Sequence, residues 1–216
     1  MTLERPYEPV HALAPAGEQP QSGAMSVRSL FETRLYESEI DDAALLAQLA
    51  HSIRSLAKDD EAGRRWSSEQ RYAGYTSYAS LNDLPKRDPA FAELAKVLSR
   101  HAASFAKQCA FELLRKPRLD SLWANLLKGE GHHTGHIHPH SIISGTFYVE
   151  VPKGSGAIRF EDPRLPLMMA APQRPDTFVT VEPHAGLLLL WESWLRHEVL
   201  PGTVKGDRLS ISFNFA

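Results

Sequence analysis

Beyond Pro117 the chain is cut into seven short runs rich in Val, Ile, Leu, Phe and Thr, separated by clusters of Gly, Pro, Asp and Glu. The runs span 119–127, 142–151, 157–161, 177–182, 186–191, 196–200 and 208–215. Runs of this length between turn residues predict strands, and so many in about one hundred residues predict an antiparallel sandwich or barrel. Two of them alternate cleanly. Leu209, Ile211, Phe213 and Phe215 interleave with Arg208, Ser210, Ser212 and Asn214; Ile143, Gly145, Phe147 and Val149 interleave with Ser144, Thr146, Tyr148 and Glu150. Successive side chains point to opposite sides of a strand. Each strand therefore has one apolar face and one face of hydroxyls and charge. That polar face looks either into solvent or into a barrel mouth that holds a polar ligand, and the alternation leaves both open.

The first half reads differently. Leu45, Leu46, Leu49, Ile53 and Leu56 recur at helical spacing behind Ser38-Glu39-Ile40-Asp41, a capping-box form with Asp in place of Glu. This predicts a helix over about 39–58. Asp88-Pro89 supplies a capping side chain and a proline at the first helical position. The stripe Phe91, Leu94, Leu98, Ala102, Phe105, Cys109 and Leu113 then predicts a helix over 89–114, with Cys109 as a core thiol. Residues 59–87 are polar and turn-rich, with Trp66, Tyr72, Tyr75 and Tyr78 interspersed. They predict a long loop with short pieces of structure, either a lid or plain packing. Val27–Tyr36 predicts a short strand, and residues 1–25, with four prolines, an extended arm. The expectation is an α+β, mainly β domain over 26–216, its two helices covering the strands.

Charge and composition exclude several classes. Twenty-four basic and 26 acidic side chains give a net charge of −2, so no global field favours nucleic acid or an anionic membrane. No apolar run approaches the roughly 18 residues of a membrane span; Gly186–Trp191 is strand-sized. The N-terminus lacks the basic-then-apolar layout of a signal peptide, and one cysteine makes no internal disulfide. The expected location is the cytoplasm.

Ten histidines are present, five of them between His132 and His140. Neutral imidazole is the commonest protein ligand for zinc, iron, copper and nickel. In His136-Ile137-His138 the two rings share a face if the backbone is extended. A third ligand must come from later in the chain, where only His184, in a turn-like Glu-Pro-His-Ala-Gly segment, and His197, after an apolar run, remain. Three protein ligands on one face of an octahedron leave three positions open, the arrangement of non-haem Fe(II) oxygenases.

The second half resembles the Fe(II)/2-oxoglutarate-dependent dioxygenases, in particular a prolyl-hydroxylase-like bacterial group of 2-oxoglutarate oxygenases. The elements that carry the likeness are Trp123-x-Asn125, His136-x-His138-Pro139, Ser144-Gly145-x-x-Tyr148, His197, and Arg208-x-Ser210-x-Ser212-Phe213-Asn214. The resemblance implies a double-stranded β-helix (jelly roll) fold. It implies that His136, His138 and His197 bind Fe(II). It further implies that Arg208 pairs with the distal carboxylate of 2-oxoglutarate, with Ser210, Tyr148 and Asn125 assisting. The implied reaction is hydroxylation of a C–H bond in a small-molecule or peptidyl substrate, with release of succinate and CO2. One departure stands out: the family's usual carboxylate ligand is replaced by His138, unless Glu161 or Asp162 supplies one. The alternatives are a cupin-like metal site without an oxoacid, and a non-catalytic zinc-binding or sensory module. Cupins place a Glu about four residues after the His pair, where this chain has Ile142 and Ile143. A metal-only site has no need of an anion clamp such as Arg208.

Overall fold

The computed structural model describes residues 27, 29–164, 167–170, 172, 174–203 and 205–216. The chain divides into a compact unit, Arg34–Ala216, and a second unit, Met1–Thr33. The expected arm over 1–25 lies outside the described residues. Every regular element among the described residues lies in Arg34–Ala216.

Among the described residues ten strands, numbered in chain order, form two antiparallel sheets. The larger has the order β1 (Leu35–Glu39), β8 (Leu187–Glu192), β5 (Ile143–Glu150), β10 (Asp207–Phe215), β3 (Leu119–Lys128) and β2 (Gly74–Thr76). The smaller runs β4 (His133–His136), β9 (His197–Val199), β6 (Ile158–Glu161) and β7 (Phe178–Val181). Neighbours that are distant in sequence, such as β5 between β8 and β10, are those of a double-stranded β-helix. Each of the seven predicted strands is present, with its ends within one residue of expectation.

The helices are α1 (Ala43–Asp59), α2 (Glu61–Glu69) and α3 (Pro89–Gln108), with a single turn at Leu167–Ala170. Leu45, Leu49, Ile53, Phe91, Leu94, Leu98 and Phe105 join one buried cluster with Ile143, Phe147, Leu188, Leu190, Leu209, Ile211, Phe213 and Phe215. So α1 and α3 cover the outer face of the large sheet with the apolar half of each alternating strand. A second cluster of Tyr148, Ile158, Phe160, Leu187, Leu189, Trp191 and Leu195 joins the two sheets. Strand β8 is apolar at every position from Leu187 to Trp191 because both of its faces are covered. Gly145 in β5 makes room for Phe213: a Cβ there would meet that ring at 2.5 Å.

Four expectations need correction. The strand expected over Val27–Tyr36 is β1, Leu35–Glu39, because its ladder is set by the partner β8, from Leu35 opposite Trp191 to Glu39 opposite Leu187. That pairing holds Ser38 and Glu39 in the sheet, so α1 is capped instead by Asp42, which accepts from the Leu45 amide at 2.9 Å. Residues 59–87 are not mainly loop. They hold α2, β2 and a 3-10 turn at Leu84–Lys86. Helix α2 escapes a search for apolar stripes because the residues it buries are Gly63 and Ser67. Finally, α3 ends at Gln108, not 114. Ala110 takes the left-handed conformation (φ 54°), and Phe111 and Leu113 reach the core from the turn that follows.

The question of the polar strand faces resolves toward the interior. Arg208, Ser210, Ser144 and Thr146 are buried, and Ser212 and Asn214 half-buried. Arg208, Ser210, Ser212, Asn214, Thr146 and Tyr148 line one cavity between the sheets.

Candidate metal centre

The strand β4 is absent from the pattern reading, since His-Thr-Gly-His has no β-branched alternation, yet it builds the site. It pairs with β9 so that His136 stands directly opposite His197. Cross-strand partners have Cβ atoms about 5 Å apart, and the two ring centroids are 4.4 Å apart. His138 follows the strand; its backbone N–H donates to Ser193 O at 3.0 Å, and its ring lies 5.1 Å from each of the other two. One ligand atom from each of the three histidines falls within 4.8 Å of the others.

Tautomers are set locally. A neutral His136 donates from Nδ1 to Thr134 O at 2.7 Å, and His197 from Nδ1 to Leu195 O at 2.9 Å. Each thereby keeps an Nε2 lone pair free, the usual arrangement behind a metal-binding imidazole. His138 Nε2 is buried and has no hydrogen-bond partner. Burial, reinforced by the neighbouring His136, holds His197 down to about 3 and His138 down to about 4; the Leu195 carbonyl and the Asn214 side chain, respectively, pull back weakly. At neutral pH both rings are therefore uncharged, as metal binding requires. An orphaned buried nitrogen beside two oriented imidazoles fits a borderline transition-metal ion.

Other candidates lie elsewhere. His184 is exposed and meets Glu39 Oε1 at 2.5 Å. Glu161 pairs with Arg196 at 2.9 Å, and Asp162 is held by Arg164. Neither carboxylate belongs to the convergent group, which among the described residues is made of histidines alone. His132 is exposed, and His140 sits exposed in a turn at φ 68°. His133 is half-buried, and its Nε2 is 2.8 Å from the Tyr72 hydroxyl. Burial, with the Arg208 charge second, takes its pKa down to about 3.

The large sheet supplies the rest. Register places Asn125, Ser210 and Tyr148 side by side on β3, β10 and β5. Burial pushes the Tyr148 hydroxyl up to about 12, with Arg208 opposing, so it is a hydrogen-bond donor at all ordinary pH. Asn125 accepts from Thr76 Oγ1 at 2.8 Å and donates to Ser212 Oγ at 3.0 Å, leaving one amide hydrogen. Arg208 is 4% exposed and lies with its Cζ 5.8 Å from the Tyr148 ring centroid. Its Nη1 donates to Gly156 O at 2.8 Å, and its Nε is buried without a partner. Among the described residues no carboxylate pairs with it. A buried, unpaired guanidinium is costly unless an anion arrives. All these groups share a cavity of about 870 Å³ with the three histidines. Sequence reasoning missed Thr76, because only the pairing of β2 with β3 brings it beside Asn125.

Residues 121–214 match the family described as "Putative 2OG-Fe(II) oxygenase". Those residues take in the strands from β4 to β9, the three histidines and Arg208. Among solved structures, the chain is similar to a Pseudomonas putida prolyl-4-hydroxylase, at 18% identity and a TM-score of 0.61, over 85% of this chain and 92% of that one. It is likewise similar to the epimerase SnoN in complex with Fe3+, alpha ketoglutarate and nogalamycin RO, at 16% identity and a TM-score of 0.61, over 85% and 78%. HygX from Streptomyces hygroscopicus, with nickel and 2-oxoglutarate bound, gives 15% identity and a TM-score of 0.55 over 85% and 82%. Likeness at such identities establishes the double-stranded β-helix. No curated protein matches the chain.

Proposed function

We propose that this protein is a non-haem Fe(II)/2-oxoglutarate-dependent oxygenase that hydroxylates a C–H bond of a small-molecule or peptidyl substrate. The observation that carries the reading is the pairing, in one cavity, of three convergent histidines with a buried guanidinium that, among the described residues, no protein carboxylate meets. His136, His138 and His197 hold the metal. Bound there, Fe(II) would supply the oxidation, in which O2, 2-oxoglutarate and the C–H substrate become succinate, CO2 and hydroxylated product, one oxygen atom going to succinate and one to the product.

The chain's own groups do the positioning. Arg208 receives the distal carboxylate of 2-oxoglutarate, for which a forked and permanently charged donor is suited. Ser210, the Tyr148 hydroxyl and the remaining amide hydrogen of Asn125 stand in a row beside it. Three imidazoles bring no negative charge to a divalent ion, so a dianionic cosubstrate offsets more charge here than at a site with a carboxylate ligand. Ile143, where a cupin-like site would need a glutamate, is fully buried in the apolar core. A reducing compartment keeps both Fe(II) and the free Cys109 reduced, and the cytoplasm fits this requirement. Among the described residues no helix is long and apolar enough to cross a membrane.

The test is an anaerobic titration of the metal-free protein with Fe(II) and then 2-oxoglutarate. A metal-to-ligand charge-transfer band in the visible range is expected on the second addition. Stoichiometric metal uptake with no response to 2-oxoglutarate would reject the oxygenase and favour a metal site of cupin type.

A further inference from the structure

Three aromatic side chains form a continuous series of ring contacts, tilted and then edge-on, that ends stacked on His138. Trp66 comes from α2, Tyr78 follows β2, and Trp123 comes from β3. Ring centroids are 6.0 Å apart for Trp66–Tyr78, 5.2 Å for Tyr78–Trp123 and 6.0 Å for Trp123–His138, the last pair stacked at 24°. All four rings line the cavity. Its middle member Tyr78 is 53% exposed, Trp66 is half-buried, and Trp123, next to His138, is buried at 7%. Core aromatics are closed off from solvent, whereas these present ring surface along a path that leads to a candidate metal ligand.

The chemistry around the series narrows what it accepts. Thr76 and Asn125 bond each other, and Thr76 Oγ1 also takes the Tyr78 amide at 3.2 Å, so the neighbouring wall offers few free partners to a polyhydroxylated ligand. Arg71 and Lys128 are exposed on the cavity lining and make no ion pair among the described residues. Glu130 is the acidic side chain nearby, leaving the rim net positive and unsuited to a cation. Arg71 is held at φ 55° as the left-handed residue that closes α2, where the Tyr72 N–H donates to Ser67 O at 2.8 Å and the Arg71 N–H to Ser68 O at 3.1 Å, so its backbone position is fixed by the helix end.

We propose that this shelf is the substrate subsite and that it takes an aromatic ring bearing an anionic group, the ring against Tyr78 and Trp123 and the anion toward Arg71 and Lys128. Its catalytic meaning rests on the oxygenase reading; the binding itself needs no metal. The test therefore uses the metal-free, full-length protein with naphthoate as probe and naphthamide as its neutral counterpart. Affinity is measured by calorimetry and by quenching of tryptophan fluorescence. Tyr78→Ala, at an exposed position, should weaken both probes roughly three- to tenfold, the size of an aromatic pair contact. Arg71→Gly keeps the left-handed backbone and should weaken naphthoate alone, by up to about fivefold and less at high salt.

Absence of naphthoate binding, or binding indifferent to both variants, overturns the proposal. So does binding abolished by Arg208→Met but unchanged by Tyr78→Ala and Arg71→Gly, which would seat the acid at Arg208. Metal uptake and the response to 2-oxoglutarate are followed separately in the parent protein. If they fail while naphthoate binding still depends on Tyr78 and Arg71, the shelf stands and the oxygenase reading falls; the reverse pattern removes the shelf alone.

Discussion

Replacing Arg208 by methionine separates cosubstrate binding from metal binding and from folding. The guanidinium is 4% exposed, bonds the Gly156 carbonyl through Nη1 and leaves Nε without a partner. Removing one partner of a buried ion pair costs about 3–5 kcal/mol. At about 1.4 kcal/mol per decade, that is two to three and a half powers of ten in 2-oxoglutarate affinity. At a cosubstrate concentration one hundred times the parent's Kd, linkage stabilises the parent by about 2.7 kcal/mol, or about 5–11 °C in Tm for a chain of this size. The same concentration stabilises the variant by about 0.4 kcal/mol or less, close to 1 °C. Without cosubstrate the balance differs. The variant loses the bond to Gly156 O, worth about 1–3 kcal/mol, and is relieved of an unpaired buried charge of similar cost. Its Tm in the unliganded state should therefore lie close to the parent's. The assay is thermal unfolding of the Mn-loaded protein with and without 2-oxoglutarate, with metal content measured alongside. A variant that keeps the full cosubstrate shift, or that loses metal together with it, would refute the role given to Arg208.

Alanine at His136, His138 or His197 should each lower Fe occupancy by elemental analysis, whereas His184→Ala, whose ring meets Glu39, should not. His138→Asp should retain metal, since a carboxylate is a competent ligand for the same ion; loss equal to that of His138→Ala would show that the third imidazole is specifically required. Acid should destabilise the metal-free protein. The buried rings are held down to about 4 (His138) and about 3 (His133 and His197), so between those values and the ordinary histidine range near 6.5 the unfolded chain binds more protons than the folded one. The stability these neutral rings contribute is complete above about pH 6.5 and is lost on acidification toward pH 4; urea unfolding across that range should show ΔG falling with pH, and a flat profile would contradict the burial. Asp60→Ala removes the cap of α2 at Gly63 N (3.0 Å) and the bonds from the Tyr75 hydroxyl (2.8 Å) and Ser80 (2.6 Å), and should cost about 2 kcal/mol or more in chemical unfolding at pH 7. Although burial pushes the Asp60 carboxyl up, the Ser80, Gly63 and Tyr75 bonds outweigh it and lower the pKa overall, so the penalty should shrink in acid below the ordinary carboxylate range.

Much of this architecture is written in local pattern. Period-two alternation in Arg208–Phe215 and Ile143–Glu150 reports one apolar face per strand, and the structure seats those faces against α1 and α3. The stripes of α1 and α3 are equally local, because a buried helix face repeats every three to four residues. The candidate ligands were visible as residue types, since few side chains other than histidine coordinate iron while neutral. What local pattern does not contain is pairing. Whether the polar faces of β5 and β10 met water or a cavity depended on the second sheet, whose strands lie far away in sequence. Helix α2 was hidden because it packs through Gly63 and Ser67, which leave no hydrophobic signal. The short β4 exists because β9 pairs with it, and that register sets His136 opposite His197. Likewise, Asn125, Ser210 and Tyr148 become neighbours only through the register of three strands, and Trp66, Tyr78 and Trp123 meet only because β2 joins the edge of β3. Sequence by itself determined the two long helices, the seven strands after Pro117 and the reactive groups, since propensity, periodicity and side-chain chemistry act within a few residues. Tertiary structure decided which groups share a site, because strand register is a long-range choice made by the whole core at once.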